Sequence, residues 1–173
     1  MKMYFLVLIV CLVSMIKASA QDAPSADAVL TEALSRAAKE NKKVMVVFHA
    51  SWCGWCRKME ISLNDPSVTD FFEKNYVIVY LTMQESKDKK NLENSGAEKL
   101  NRKWGGENQG VPFWIIMDKN GSILANSQIQ PGKNIGCPAT VEEVAYFINV
   151  LKKTSSITNE EIATIEARFR RNE

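Results

Sequence analysis

Phe48–Glu60 reads F-H-A-S-W-C-G-W-C-R-K-M-E, and the rest of the chain is organised around it. Before it lies the apolar, β-branched run Val44-Met45-Val46-Val47-Phe48; its last residues lead on through Arg57-Lys58-Met59-Glu60-Ile61, a helix-compatible run. The reading is a buried strand that ends at Cys53-x-x-Cys56 and passes straight into a helix. A cysteine at a helix N-terminus meets the positive end of the backbone dipole and unpaired N–H groups, which stabilise its thiolate. The thiolate is the nucleophilic form. A second cysteine at i+3 lies on the same helical face, one turn along. The pattern points to dithiol–disulfide exchange. Cys53 is the expected nucleophile, and Cys56 is the thiol that resolves a mixed disulfide.

Trp52-Cys53-Gly54-Trp55-Cys56 after a hydrophobic strand resembles the active site of the thioredoxin superfamily. The longer stretch Trp52–Glu60, followed by Asn64-Asp65-Pro66-Ser67-Val68, is similar to exported bacterial thioredoxin-like proteins with a W-C-G-W-C site. The resemblance runs from about Ser25 to Lys153. It implies a proline in the cis form facing the two cysteines, and Gly110-Val111-Pro112 occupies the matching place. It also implies that the Val111 backbone pairs with a substrate chain. Trp52, Gly54, Trp55, Val111 and Pro112 are the expected substrate contacts, the two tryptophans as an apolar docking surface beside the thiols. The sequence departs from thioredoxin itself at several positions. Thioredoxin carries a buried aspartate six residues before the nucleophile; here that residue is Val47, and Tyr80 stands where its lysine partner would. Glu60 lies too far along the helix to replace that aspartate, which leaves water as the proton acceptor for Cys56. Trp55 and His49 also replace a proline and a tryptophan, and changes between the cysteines tune redox potential through thiolate stabilisation.

Residues 1–20 read as a signal peptide, with Lys2 as the charged start, an apolar run over Met3–Ile16 and the small-residue pattern Ala18-Ser19-Ala20 before Gln21. The run is short for a membrane span. The expectation is cleavage, export to a bacterial periplasm and no stable membrane association afterwards; the alternatives are secretion or an uncleaved anchor. Lys2 and Lys17 fall in this leader, so the mature chain carries 20 basic and 20 acidic residues and lacks a nucleic-acid footprint. Cys11 also falls there. Three cysteines remain, Cys53, Cys56 and Cys137, an odd number that argues against a disulfide-stapled scaffold.

Along the chain, Asp22–Asn41 has helical apolar spacing with Ser25 or Asp27 as cap. Val44–His49 and Tyr76–Thr82 read as buried parallel strands. Residues 84–94 read as a polar surface loop, Gly96–Trp104 as a helix ended by glycine, and Phe113–Met117 and Ser122–Asn126 as a hairpin around Asn120-Gly121. Ser127–Pro138 reads as an irregular loop. Thr140 and Glu143 form a capping box for Val141–Lys153. A last charged helix, about Asn159–Arg170, is expected to be appended and solvated. The fold class is α/β: a thioredoxin-like fold with a mixed four-stranded sheet, helices on both faces, and extra N- and C-terminal helices. The organisation is a leader (1–20), a thioredoxin-like domain (21–155) and the C-terminal helix (156–173).

The topology puts Cys137 on a loop at the active-site end, which makes it a candidate third thiol. Its alternative is a partly buried free thiol. Lone His49 either raises local positive charge or packs at the strand end. A zinc site needs four ligands, and Cys53, Cys56, Cys137 and His49 supply that number only by chance convergence, so neither a metal nor a cofactor is expected beyond the Cys53–Cys56 disulfide itself. The expected partners are protein or peptide thiols and disulfides and a redox partner. Two other readings stand beside exchange. One is a non-catalytic binding module with a static Cys53–Cys56 disulfide, favoured by the missing buried acid. The other is peroxide reduction, for which Arg57 would have to polarise the peroxide.

Overall fold

The computed structural model describes residues 22–173. The expected leader, its cleavage site and Cys11 lie outside the described residues. Val44–Phe48 are apolar at every position, so the strand they form can be covered on both faces. They make the centre of β1 (Lys43–His49), and all five are fully buried. β2 (Tyr76–Thr82) pairs with β1 in parallel, from Lys43 opposite Tyr76 to His49 opposite Thr82. β3 (Phe113–Met117) pairs with β1 on its other side, antiparallel, and β4 (Ile123–Asn126) continues from β3. The order β2-β1-β3-β4 is the mixed four-stranded sheet of a thioredoxin-like fold.

Alternation along the strands sorts side chains between two packed layers. Met45, Val47, Trp114 and Ile116 face α2 (Gly54–Leu63), α3 (Thr69–Asn75), α5 (Val141–Thr154) and α6 (Asn159–Arg170). Val44, Val46, Phe48, Phe113, Ile115 and Met117 face α1 (Ala26–Glu40) and α4 (Ala97–Lys103). Helices thus cover both faces. Local chemistry sets their ends. Ser25 Oγ accepts the Ala28 N–H at 3.2 Å to start α1. The Thr140–Glu143 capping box starts α5, and a second box, Thr158–Glu161, starts α6.

Three segments differ from the expectation. The 127–138 stretch is not wholly irregular: β5 (Gln128–Gln130) and β6 (Lys133–Asn134) form a small hairpin. The 84–94 loop holds a 3-10 turn over Lys87–Leu92 and sends Glu85 inward. The third is α6, which is no solvated appendage. Its Ile165 and Phe169 are fully buried, and Phe169 sits 4.9 Å from Phe147 and 6.3 Å from Phe72 between ring centroids. The charged residues lie on the outer face while a sparse apolar stripe docks.

Arg168 fastens the same helix to the loop after α2. Its Nε donates to Asp65 Oδ2 at 2.6 Å, and Arg168 is itself buried. The Ser67 hydroxyl and backbone N–H, bonded to Asp65 Oδ1 at 2.6 and 3.0 Å, and the Arg168 guanidinium hold the Asp65 carboxyl down to about 2. A carboxylate depressed in the folded state contributes stability that is fully present above its unfolded pKa, near 3.8, and lost as pH falls towards 2. Asp65→Asn is therefore expected to destabilise the protein at pH 7. Its penalty should shrink steadily below pH 4 in urea titrations; a penalty constant from pH 7 to pH 2.5 would contradict the linkage.

Candidate active site

β1 ends at His49, and the chain turns through Ala50-Ser51-Trp52 before α2 begins. The Cys53 N–H donates to Ala50 O at 3.1 Å, which tightens that turn. Cys53 is the N-cap of α2: its Sγ accepts the Cys56 N–H at 3.0 Å. The sulfur thus occupies the site of an N-terminal capping acceptor, where negative charge is stabilised by the helix dipole and the free N–H groups. Cys53 and Cys56 are joined in a disulfide, and both are largely buried, at 6% and 4% exposure. Trp52 and Trp55 flank them at 60% and 48% exposure, so an apolar rim surrounds a recessed disulfide. Lys58 Nζ lies 4.3 Å from the centre of the Trp55 ring. Gly54 has open space where a side chain would stand.

The Val111–Pro112 peptide is cis. Val111 O lies 3.4 Å from Cys53 Sγ, so the two segments meet at the sulfur. The 133–136 segment holds this loop from behind. Asn134 Nδ2 donates to Gln109 O at 3.1 Å and to Pro112 O at 3.0 Å, and its Oδ1 accepts the Gly136 N–H at 3.0 Å. Gly136 has a φ of +58°, and an added Cβ would stand 3.5 Å from Pro112 O. A shallow groove of about 250 Å³ runs beside the disulfide, lined by Trp55, Val111, Pro112, Asn134, Cys137 and Glu143 among others. The structure thus brings Cys53, Cys56, Val111 and Pro112 together, with Trp52 and Trp55 at the rim and Cys137 in the groove wall.

Val47 and Tyr80 are paired residues of β1 and β2 and belong to one apolar layer. Burial, and after it the Glu60 charge, push the Tyr80 hydroxyl up to about 12. His49 is half-buried, with Nε2 2.9 Å from Thr82 Oγ1 and its ring 5.4 Å from that of Tyr80. Burial lowers its pKa below the usual imidazole value, so it is neutral at pH 7. It is a packed strand-end residue and adds no positive charge beside Cys53.

Cys137 is a free, buried thiol. Its Sγ lies 3.4 Å from Asn172 Nδ2, and burial pushes its pKa up to about 12. A thiol held protonated is a poor nucleophile at neutral pH. Asn172 also donates to Ser62 Oγ at 2.9 Å and to Pro138 O at 3.2 Å, while Lys58 Nζ donates to Asn172 O at 2.7 Å. Asn172 thereby ties α2 to the 137–138 loop.

Two residues of this neighbourhood carry no local signal in the sequence. Asn134 braces the Pro112 loop through bonds that span more than 20 residues. Glu85 reaches the turn before Cys53: its carboxylate accepts the Ser51 N–H and, at 2.7 Å, the Ser51 hydroxyl. Glu85 stands three residues beyond β2, at the start of a polar stretch that hides it.

The family profile described as "Thioredoxin-like domain" matches residues 30–134, and the chain belongs to that family. No curated protein matches it. Among solved structures it is similar to a disulphide isomerase from Xylella fastidiosa Temecula1, at 18% identity and a TM-score of 0.48, covering 83% of this chain and 87% of that one. It is similar to DsbH oxidoreductase at 20% identity and a TM-score of 0.49, covering 78% and 87%. It is also similar to the C-terminal domain of DsbD from Neisseria meningitidis, at 20% identity and 0.45, covering 76% and 97%.

Proposed function

We propose that this chain is an exported thiol–disulfide oxidoreductase acting on protein or peptide disulfides. The observation that carries the reading is Cys53 as N-cap of α2, disulfide-bonded to Cys56 with Val111 O 3.4 Å from its sulfur. In the reducing direction the Cys53 thiolate attacks one sulfur of a substrate disulfide. The other substrate sulfur leaves as a thiolate and takes up a proton. Cys56 then loses its proton to water and attacks Cys53 Sγ. The second substrate thiolate leaves and is protonated. Two electrons and two protons pass to the substrate, and Cys53–Cys56 is restored as the disulfide. The oxidising direction is the exact reverse.

Trp52 and Trp55 suit an unfolded or flexible apolar segment, and Val111 supplies backbone groups for an extended chain. Export rests on the leader pattern of residues 1–20; the periplasm is the compartment it favours, where such a pair meets substrate thiols. Among the described residues no helix is long and apolar enough to cross a membrane. The test is turnover of a protein disulfide, followed by appearance of free thiols with a small dithiol as electron source. Multiple turnovers per protein are expected. A rate equal to that of the dithiol alone would favour the alternative, a binding module with a static disulfide.

A further inference from the structure

Glu85 is a carboxylate at 5% exposure, and among the described residues it has no ion-pair partner. Neutral donors satisfy it: the Ser51 N–H and the Ser51 hydroxyl. Its own N–H donates to Glu93 Oε1 at 2.7 Å, and Lys90 Nζ donates to that same oxygen at 2.7 Å. Lys90 is therefore bonded to Glu93 and acts on Glu85 only through space, as its smallest charge interaction. Trp52 Nε1 donates to Gln84 O at 2.8 Å, and the Met83 N–H to His49 O at 2.9 Å. The segment 83–85 is thus fixed along the whole turn from His49 to Trp52. Gln84 holds φ at +58°, a conformation that a non-glycine residue adopts only when its surroundings impose it. A fixed carboxylate that forms no salt bridge among the described residues is thus anchored on Ser51, two residues before the nucleophile.

We propose that the Glu85 carboxylate, anchored on Ser51, opposes the Cys53 thiolate and sets the Cys53–Cys56 pair towards the reducing side. The inference rests on the exchange reading above. A like charge in a partly buried site disfavours ionisation of its neighbour. Thiolate stabilisation in the reduced form is what makes a dithiol pair oxidising, so its loss makes the pair more reducing. The other groups around this turn are His49 on β1, Tyr80 on β2, and Arg57, Lys58 and Glu60 on α2. Neutral His49 and Tyr80 supply no offsetting charge. Lys58 is turned to Trp55 and to Asn172 O. Glu85 touches no reacting sulfur; it is a positioning and tuning residue.

The experiment equilibrates the oxidised protein with glutathione: protein disulfide plus two glutathione thiols gives protein dithiol plus one glutathione disulfide. The pH midpoint of Cys53 alkylation is measured alongside. Glu85→Gln removes the charge and keeps the shape. It is expected to raise the equilibrium constant for reduction about tenfold, which corresponds to about 30 mV, and to move the alkylation midpoint to lower pH. Ser51→Ala keeps the charge and is expected to leave the constant within about twofold. If the glutamine variant does not fold, Glu85→Met with Ser51→Ala removes both side-chain partners together and carries the same test. An unchanged constant in the charge-removing variants overturns the proposal, as does an equal shift in Ser51→Ala alone. Failure of the wild-type pair to equilibrate with glutathione at all would instead overturn the exchange reading beneath it.

Discussion

Cys53→Ser is expected to reduce disulfide turnover to the uncatalysed level, a loss on the order of 10³-fold or more, because the nucleophile is gone. Cys56→Ser is expected to behave differently. It keeps the thiolate at the N-cap and loses only the group that releases the mixed disulfide. Substrate should therefore accumulate as a covalent adduct on Cys53, visible as a mass increase that a reductant reverses. The asymmetry follows from position. Cys53 Sγ is next to Val111 O and at the end of the helix, whereas Cys56 is one turn in, buried in a small cluster with Ala50 and Val111. Adducts on Cys56 in the Cys53→Ser variant at comparable rates would reverse these roles. Cys137→Ser provides the comparison for the third thiol. Buried and held near a pKa of 12, it is expected to leave both the adduct and the turnover intact.

Phe169→Ala is expected to cost about 3–5 kcal/mol, the range for deleting a fully buried aromatic side chain. Phe169 lies against Phe147 at 4.9 Å, and Phe147 in turn meets Trp114 at 5.4 Å in an edge-on arrangement. The aromatic column links α6 through α5 to the central sheet. Truncating Phe169 leaves a cavity at its end and removes ring contacts worth more than their area alone. Urea unfolding of the oxidised protein measures the loss, and the melting temperature should fall by roughly 10 °C. A solvated helix would give a change within about 0.5 kcal/mol, and that result would contradict the packing described here.

These two predictions also divide what the sequence makes legible from what it does not. Val44–Phe48, Cys53 and Cys56 are read locally: five apolar residues in a row demand cover on both faces, and a Cys-x-x-Cys after them falls at a helix start. Thr140 and Glu143 announce a helix because the capping box is a four-residue pattern. The Asn120-Gly121 turn is local in the same way. The docking of α6 is not local. Ile162, Ile165 and Phe169 are diluted among Glu160, Glu161, Glu166, Arg168 and Arg170, and their burial depends on a hollow formed by α5 and the sheet. Arg168 reads as one more solvated charge until Asp65, 103 residues earlier, is brought beside it. Asn134 and Glu85 each act through two hydrogen bonds to segments 22 to 34 residues away, and no periodicity encodes such bonds. His49 shows the same limit. Its residue type suggests charge near the thiols, while its pairing opposite Thr82 and its packing on Tyr80 make it a neutral strand end.

The most direct measurement is the reduction potential of the Cys53–Cys56 pair, by equilibration in graded glutathione buffers with thiol trapping and mass analysis. The account predicts a reversible two-electron couple on these two cysteines alone, at a potential within the range spanned by exchange proteins, about −270 to −120 mV, and nearer the reducing end with Glu85 in place. A disulfide that resists every buffer, with a potential below about −300 mV, is a structural one and would contradict the account.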